Sequence, residues 1–168
     1  AAVLAGEEGV LKIIGTTEQP AALPVGKWQL LSCLIDLTHV DDACAILKEV
    51  GRLANLEGAI LSIATVLPDY GMSFVGSFFK EGTLSNAAQS ANEALHKLAA
   101  EVLPDREQVQ CIVEIGTVYE EVLDAARKCG ADHIIVGAHK PDLADRIIGP
   151  NASRIVRNAP VTVTVLRL

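Results

Sequence analysis

Aromatic side chains are scarce in this sequence. Phe, Trp and Tyr make up 4% of the chain, whereas hydrophobic residues of all kinds make up 50%. The core must therefore consist mostly of Ala, Val, Leu and Ile. Such a composition favours helices layered on a β-sheet, because branched aliphatic side chains fill strands and Ala lets helices pack closely.

Basic residues are outnumbered by acidic ones. There are 14 Lys and Arg against 21 Asp and Glu, which gives a formal net charge of -7. Proteins that bind nucleic acids in general hold the phosphate backbone with clustered Lys and Arg, so this balance argues against that class. Any anionic ligand must be held by local geometry.

The sequence also lacks CxxC pairs, metal-ligand spacings between Cys and His, and long apolar runs. Free Cys residues of this kind favour a reduced, cytoplasmic setting without a bound metal. No apolar run approaches the roughly 18 to 20 residues of a membrane span, so we expect no membrane insertion. The first ten residues lack the basic region of a secretory signal and an initiator Met, which leaves open that the chain was trimmed or cut from a longer protein.

Apolar runs typical of buried strands alternate with helical patterns after residue 26. The predicted strands span 28–37, 59–67, 109–115, 133–136 and 161–166. The predicted helices carry apolar faces over 43–54, 83–103, 118–129 and 150–158. Thr117 and Glu120 are predicted to form a capping box at the start of the third helix. With right-handed crossovers, this order predicts an α/β fold with a five-stranded, parallel, doubly wound, flavodoxin-like sheet of strand order 3-2-1-4-5. Residues 1–26, with the apolar run 10–14, form an extension that is either a linker or an accessory strand, and residues 27–168 form the domain.

A candidate binding site follows from this topology. Open parallel sheets bind ligands beyond the carboxyl ends of the strands, where the strand order reverses. Asp36 lies at the end of the first strand, and the loop GAHKPDLADRIIGPNASRIV begins at the end of the fourth. Gly137 frees the backbone after that strand, and Gly149 permits close approach to a helix start, where N–H groups favour a phosphate. Lys140 and Arg146 add positive charge.

The segment ADHIIVGAHKPDLADRIIGPNASRIVRNAPVTVTVLR resembles the C-terminal signature of the universal stress protein family. Nucleotide-binding members of that family carry Gly, two residues, Gly, nine residues, Gly and then Ser or Thr, followed by a helix, an Ala-Pro pair and a final strand. The similarity extends to LLSCLIDLTHVDDACAIL and VEIGTVYEEVLDAARKCGADHIIVG, and so covers residues 27–168.

The resemblance implies an adenine nucleotide alpha hydrolase-like fold and a stress-response regulator that binds ATP or AMP. It implies Mg²⁺ with the phosphates, at most slow ATP hydrolysis, and no catalytic or metal-ligating side chains. Asp36 would lie by the adenine or ribose, and Val66 would line the base pocket. The residues implied to surround the phosphates are Gly137, His139, Lys140, Gly149 and Asn151.

Two positions depart from the family pattern. Lys140 stands where the second Gly is usual, in a loop one residue shorter, and Pro150 replaces Ser or Thr. Pro suits a first helical turn but removes a hydroxyl and a backbone N–H from the phosphate site. Three functions therefore stay open: a nucleotide-binding regulator, a same-fold dimeric interaction module that has lost nucleotide binding, and a regulatory domain of a larger protein such as a transporter. We expect a homodimer, or a higher oligomer, through the unpaired edge of the final strand VTVTVLRL.

Overall fold

The computed structural model describes residues 11–13, 29–33, 40–68, 83–106, 109–138 and 149–167. The strands are β1 (Leu11–Ile13), β2 (Gln29–Cys33), β3 (Ile60–Pro68), β4 (Val109–Gly116), β5 (His133–Ala138) and β6 (Thr162–Arg167). The helices are α1 (Val40–Glu57), α2 (Thr83–Val102), α3 (Val118–Cys129) and α4 (Pro150–Asn158). None of these helices is long and apolar enough to cross a membrane.

All six described strands run parallel in one sheet of order β1-β4-β3-β2-β5-β6. The five strands from β2 onward therefore have the predicted order 3-2-1-4-5, and the doubly wound fold is confirmed. β1 pairs with β4, with Leu11 opposite Cys111 and Ile13 opposite Val113. Of the two alternatives for the N-terminal extension, the structure has an accessory strand at 11–13.

The sheet is covered on both faces by helices, which gives two aliphatic cores. The core on the α1 and α2 side includes Leu30, Leu47, Leu61, Ile63, Leu95 and Ile135. The core on the α3 and α4 side includes Val66, Ile112, Val122, Ile134, Val136 and Ile155. Successive residues of β5 point into opposite cores, as expected of a central parallel strand. No buried hydrophobic residue of the described part is aromatic.

A polar ladder joins the amino ends of three neighbouring strands. Gln29 Nε2 donates to Ser62 Oγ at 2.7 Å, and Ser62 Oγ donates to Gln110 Oε1 at 3.0 Å. Gln29 and Ser62 are buried, and partners of this kind are what buried polar groups require. The ladder holds the amino ends of β2, β3 and β4 together.

The predicted capping box at the start of α3 is wrong. Thr117 occupies the N-cap position, but its side chain makes no capping hydrogen bond. The Glu120 carboxylate instead accepts a hydrogen bond from the Tyr119 hydroxyl at 2.6 Å. A phenol next in sequence competes with the backbone N–H for the same carboxylate, and here the phenol is the partner.

The last strand, β6, forms an edge of the described sheet, but its alternating Val and Thr residues do not divide into one exposed and one buried face. Thr162 is exposed, but the four residues after it are half-buried on both faces. Thr164 Oγ1 lies 2.8 Å from His133 Nε2 on β5. This contact gives the half-buried Thr164 hydroxyl a polar partner. Val163 and Val165 pack against the α3 and α4 core.

Candidate functional site

The strand order reverses at β2. From β2 the chain moves to β3 and β4 on one side, and it returns to β5 and β6 on the other. Cys33 is level with Ala64 of β3 and with Val136 of β5. Beyond that level β3 continues to Pro68 and β5 to Ala138. The ends of these two strands therefore border the crevice where ligands bind in folds of this type.

Of the predicted site residues, Asp36, His139 and Lys140 lie outside the described residues, so their roles stay predictions. Val66, Gly137, Gly149 and Asn151 are described. Val66 and Gly137 belong to the carboxyl-terminal parts of β3 and β5. Gly149 and Asn151 belong to the start of α4, which begins at the same edge of the sheet because it follows β5 and leads into the parallel strand β6.

Gly137 has a packing role that the sequence did not reveal. A Cβ atom built on Gly137 would overlap the Cδ1 atom of Ile46, which projects from α1. Glycine thus lets α1 lie close to the end of β5. This requirement exists whether or not a ligand binds.

Gly149, in contrast to Gly137, is not required for packing against the described residues or for its backbone angles. Its φ of -54° and ψ of 158° are open to any residue and suit a residue before proline. A Cβ built on it would meet no atom of the described residues within 4 Å, and the residue is exposed. The space in front of the Gly149 backbone is therefore open to an approaching group.

The first turn of α4 presents free donors to this space. The first intrahelical hydrogen bond runs from the Ser153 N–H to the Gly149 carbonyl at 2.9 Å. The N–H groups of Asn151 and Ala152 consequently lack an intrahelical acceptor, and Pro150 has no N–H. No side chain in the part of the chain that the structure describes caps this helix start. Two free N–H groups at the positive end of a helix dipole fit a phosphate.

Val66 lies deeper than the glycines. Its side chain is 3% exposed and belongs to the α3 and α4 core. It therefore contributes to packing in the protein alone, and its contact with a nucleotide base stays a prediction.

The structure shows a buried carboxylate that the sequence analysis missed. Glu114 on β4 lies opposite Val66 in the sheet register, and its side chain is 5% exposed. Lys128 Nζ lies 3.2 Å from Glu114 Oε1 and 2.7 Å from Asp124 Oδ2. Burial raises the pKa of Glu114, and the Lys128 hydrogen bond opposes that rise. The only signal in the sequence was one acidic residue inside the apolar run VQCIVEIG.

A second contact that the sequence did not indicate joins α3 to α4. The Arg154 guanidinium carbon lies 5.1 Å from the centre of the Tyr119 ring. Tyr119 is half-buried in the first turn of α3, and Arg154 is exposed in the second turn of α4. The cation therefore lies over an aromatic ring close to the start of both helices.

The described residues include no group of three or more His, Cys, Asp or Glu side chains that could hold a metal ion. Cys111 is buried, and burial raises the pKa of its thiol to about 12. Its thiol therefore stays protonated near neutral pH, and a thiolate is the form that reacts as a nucleophile.

Comparison with known proteins identifies the family. Residues 35–167 match the sequence model of the Universal stress protein family. Universal stress protein G of Shigella flexneri is 31% identical over 77 residues, which cover 46% of this chain and 54% of that protein, so this match spans about half of the relative. Universal stress protein G of Salmonella typhimurium is 27% identical over 139 residues, which cover 79% of this chain and 94% of that protein.

Solved structures agree on the fold. A universal stress protein from Archaeoglobus fulgidus superposes with a TM-score of 0.61 at 17% identity, covering 82% of this chain and 92% of that one. A universal stress protein in complex with cAMP has a TM-score of 0.60 at 15% identity, covering 83% of this chain and 96% of that one. The family model spans the helices and strands from α1 to β6, which are the elements that carry the predicted site. The chain belongs to the universal stress protein family.

Proposed function

We propose that this protein is a stress-response regulator that binds an adenine nucleotide, with the phosphates at the start of α4. The observation that carries the proposal is the open, exposed backbone at Gly149 followed by the free N–H groups of Asn151 and Ala152. This helix start lies at the carboxyl edge of the sheet, where doubly wound folds bind nucleotides. The family relative solved with cAMP supports the adenine nucleotide class.

The proposed ligand is ATP or AMP. Asp36 is proposed to lie by the adenine or ribose and Val66 by the base. Mg²⁺, when bound with the phosphates, would neutralise part of their charge. The residues proposed to surround the phosphates are Gly137, His139, Lys140, Gly149 and Asn151. We propose ligand binding, rather than turnover, as the activity.

Calorimetry with ATP and AMP, each with and without Mg²⁺, tests the proposal. A ligand present at a hundred times its Kd should also stabilise the fold by about 2.7 kcal/mol, which a thermal melt detects. Inorganic triphosphate serves as a control for charge alone. The absence of binding at millimolar nucleotide would refute the proposal.

The variant Gly149→Ala sharpens this test. The Gly149 backbone angles accept Ala, and the new Cβ would meet no atom of the described residues within 4 Å, so we expect the free energy of unfolding to stay level or rise by up to about 1 kcal/mol. Nucleotide affinity should nevertheless fall, because the new methyl group occupies space in front of the free N–H groups. Equal affinities in Gly149→Ala and the wild type would argue against phosphates at this helix start.

A second candidate is a module of the same fold that does not bind nucleotides and pairs with a second copy through β6. Pro150 favours it, because this exposed first residue of α4 offers neither hydroxyl nor N–H. β6 also forms one edge of the described sheet. Pro150→Ser separates the candidates. Affinity that appears only in Pro150→Ser supports the second candidate, whereas binding by both proteins supports the first.

A further inference from the structure

We infer that Arg154 selects for the phosphates of the ligand at the proposed nucleotide site and that Tyr119 is the positioning residue that holds Arg154 ready. This inference rests on the proposed function and deepens it, because it assigns the discrimination between phosphorylated and unphosphorylated ligands to a residue outside the Gly137 to Gly149 loop.

Helix geometry directs Arg154 toward the candidate phosphate site. With about 1.5 Å of rise per residue, its Cα lies about 6 Å along the axis from Pro150. Side chains on a helix point back toward its N-terminus. The guanidinium carbon lies 5.1 Å from the centre of the Tyr119 ring, and Tyr119 belongs to the first turn of α3, which starts at the same edge of the sheet. Both the direction of the Arg154 side chain and its contact with Tyr119 therefore favour a cation on the side of Arg154 that faces the start of α4.

Arg154 lacks the carboxylate partner that two other described arginines have. Arg52 pairs with Glu49, and Arg127 pairs with Asp124. Among the described residues, Arg154 makes no ion pair, and its guanidinium contacts only the Tyr119 ring. A cation without a carboxylate partner, next to the positive end of a helix, gains most from an anionic ligand.

Tyr119 provides a fixed surface for this cation. The Tyr119 hydroxyl donates to Glu120 Oε1 at 2.6 Å, and the ring packs against the α3 and α4 core. An exposed cation–π contact is weaker than a charge-assisted, bidentate hydrogen bond to a phosphate. A bound phosphate should therefore contribute most of the binding free energy at Arg154. The guanidinium can stay over the ring while its in-plane N–H groups donate to the phosphate and replace the donor that Pro150 lacks.

Calorimetry on the full chain tests the inference with ATP, AMP and adenosine. In Arg154→Met we expect the ATP affinity to fall by about tenfold, the scale of one charge-assisted hydrogen bond, with adenosine affinity unchanged. Arg154→Lys should recover part of the loss. Tyr119→Leu keeps an apolar side chain and removes the ring, so we expect a smaller loss for ATP and none for adenosine.

Arg157→Met is the matched control, because Arg157 is an exposed arginine in the last turn of the same helix. It removes the same charge far from the helix start and should bind all three ligands like the wild type. Thermal melts without ligand verify that each variant is folded. As a second readout, ATP but not adenosine should shift the Tyr119 ring resonances in NMR spectra, and the shift should disappear in Arg154→Met.

The outcomes separate the two proposals. If the wild type binds none of the ligands, the proposed function is wrong and this inference is wrong with it. If the wild type binds ATP but Arg154→Met binds it equally well, the inference is wrong and the proposed function stands. Equal losses for ATP and adenosine in Arg154→Met would also overturn the inference, because a residue that selects for phosphate cannot affect adenosine.

Discussion

At the scale of single residues, Gly137 illustrates how a glycine in a predicted phosphate loop can also serve packing. Its hydrogen faces Ile46 of α1, and a methyl group in that place would overlap Ile46 Cδ1. We expect Gly137→Ala to lower the free energy of unfolding by about 1 to 3 kcal/mol, the usual cost of overpacking a core. Urea denaturation followed by circular dichroism measures the change.

A partner substitution identifies the cause of that loss. Ile46→Val removes the overlapping Cδ1 atom, so the double variant Gly137→Ala/Ile46→Val should recover much of the stability lost in Gly137→Ala. The two effects should then be non-additive, as expected of residues in contact. Additive effects would show that the alanine acts through the backbone and not through Ile46.

The Glu114 and Lys128 pair is the other feature with a measurable consequence at this scale. The Lys128 ammonium group pairs with the Glu114 carboxylate, whose side chain is 5% exposed. We expect Lys128→Met to lower the free energy of unfolding by about 2 kcal/mol at pH 7, because a buried carboxylate then lacks its partner. The expected loss is below that of a fully buried pair, since the Lys128 side chain is 33% exposed.

The pH dependence of Lys128→Met follows from the pKa of Glu114, which burial raises in the folded protein. A raised pKa means that the folded state favours the protonated carboxyl. Protonation of Glu114 therefore stabilises the folded state. Its contribution is fully present below the unfolded pKa of 4.5 and is lost as the pH rises through the folded pKa. The penalty of Lys128→Met should therefore shrink as the pH falls toward 4.

Two controls accompany these pH-dependent denaturation curves. Glu114→Gln imitates the protonated carboxyl, so in that background the Lys128 substitution should cost less and depend less on pH. Arg127→Met removes an exposed cation of the same helix and should cost less than about 0.5 kcal/mol. A Lys128→Met penalty that stays constant from pH 4 to pH 7 would contradict this account.

At the scale of elements, local sequence signals predicted most of the fold. The helix Pro150–Asn158 was predicted with the bounds that the structure shows, because Pro marks a first turn and an Ala-Pro pair follows. Apolar runs likewise predicted β3, β4 and β5. Each of these signals lies within one segment of the chain, which is why sequence alone could reveal it.

Contacts between elements were the part that sequence could not supply. Arg154 on Tyr119 and Lys128 beside Glu114 depend on how α3 lies against α4 and β4. The failed capping box at Thr117 has a similar cause, since the choice of Glu120 between two donors depends on side-chain geometry. Of the predicted site, the start of α4 has two N–H groups without an intrahelical acceptor, and the ligand-binding roles of all seven predicted residues stay predictions.

The accessory strand β1 carries a prediction at this scale. It pairs with β4 over Leu11, Lys12 and Ile13, and it is not one of the five strands of the predicted domain 27–168. Deleting residues 1–26 should leave a folded protein with lower stability, because β2 to β6 keep their partners while the β4 edge becomes unpaired. Denaturation curves measure the stability, and light scattering should detect more self-association. A deletion variant that is unfolded would show that the domain does not begin at residue 27.

At the scale of the whole molecule, the question is whether two copies pair through β6. This strand forms the edge of the described sheet opposite β1. On α4, Arg154 faces α3, so Val156, two residues later and about 200° around the helix, faces away from α3 on the side of this edge. Val156 is a large exposed hydrophobic residue, 47% accessible, which suits a two-fold contact that continues from β6 onto α4.

We therefore expect the wild type to form a dimer and Val156→Asp to weaken it by about tenfold or more, because two aspartates would be brought together across the two-fold axis. Sedimentation equilibrium over a range of concentrations measures the dissociation constant. Leu56→Asp is the matched control, since Leu56 is 71% exposed on α1 and receives the same charge away from β6. A wild-type monomer at all concentrations would exclude the dimer. Equal weakening by both substitutions would mean that added negative charge, and not the β6 edge, governs association in a protein whose net charge is already -7.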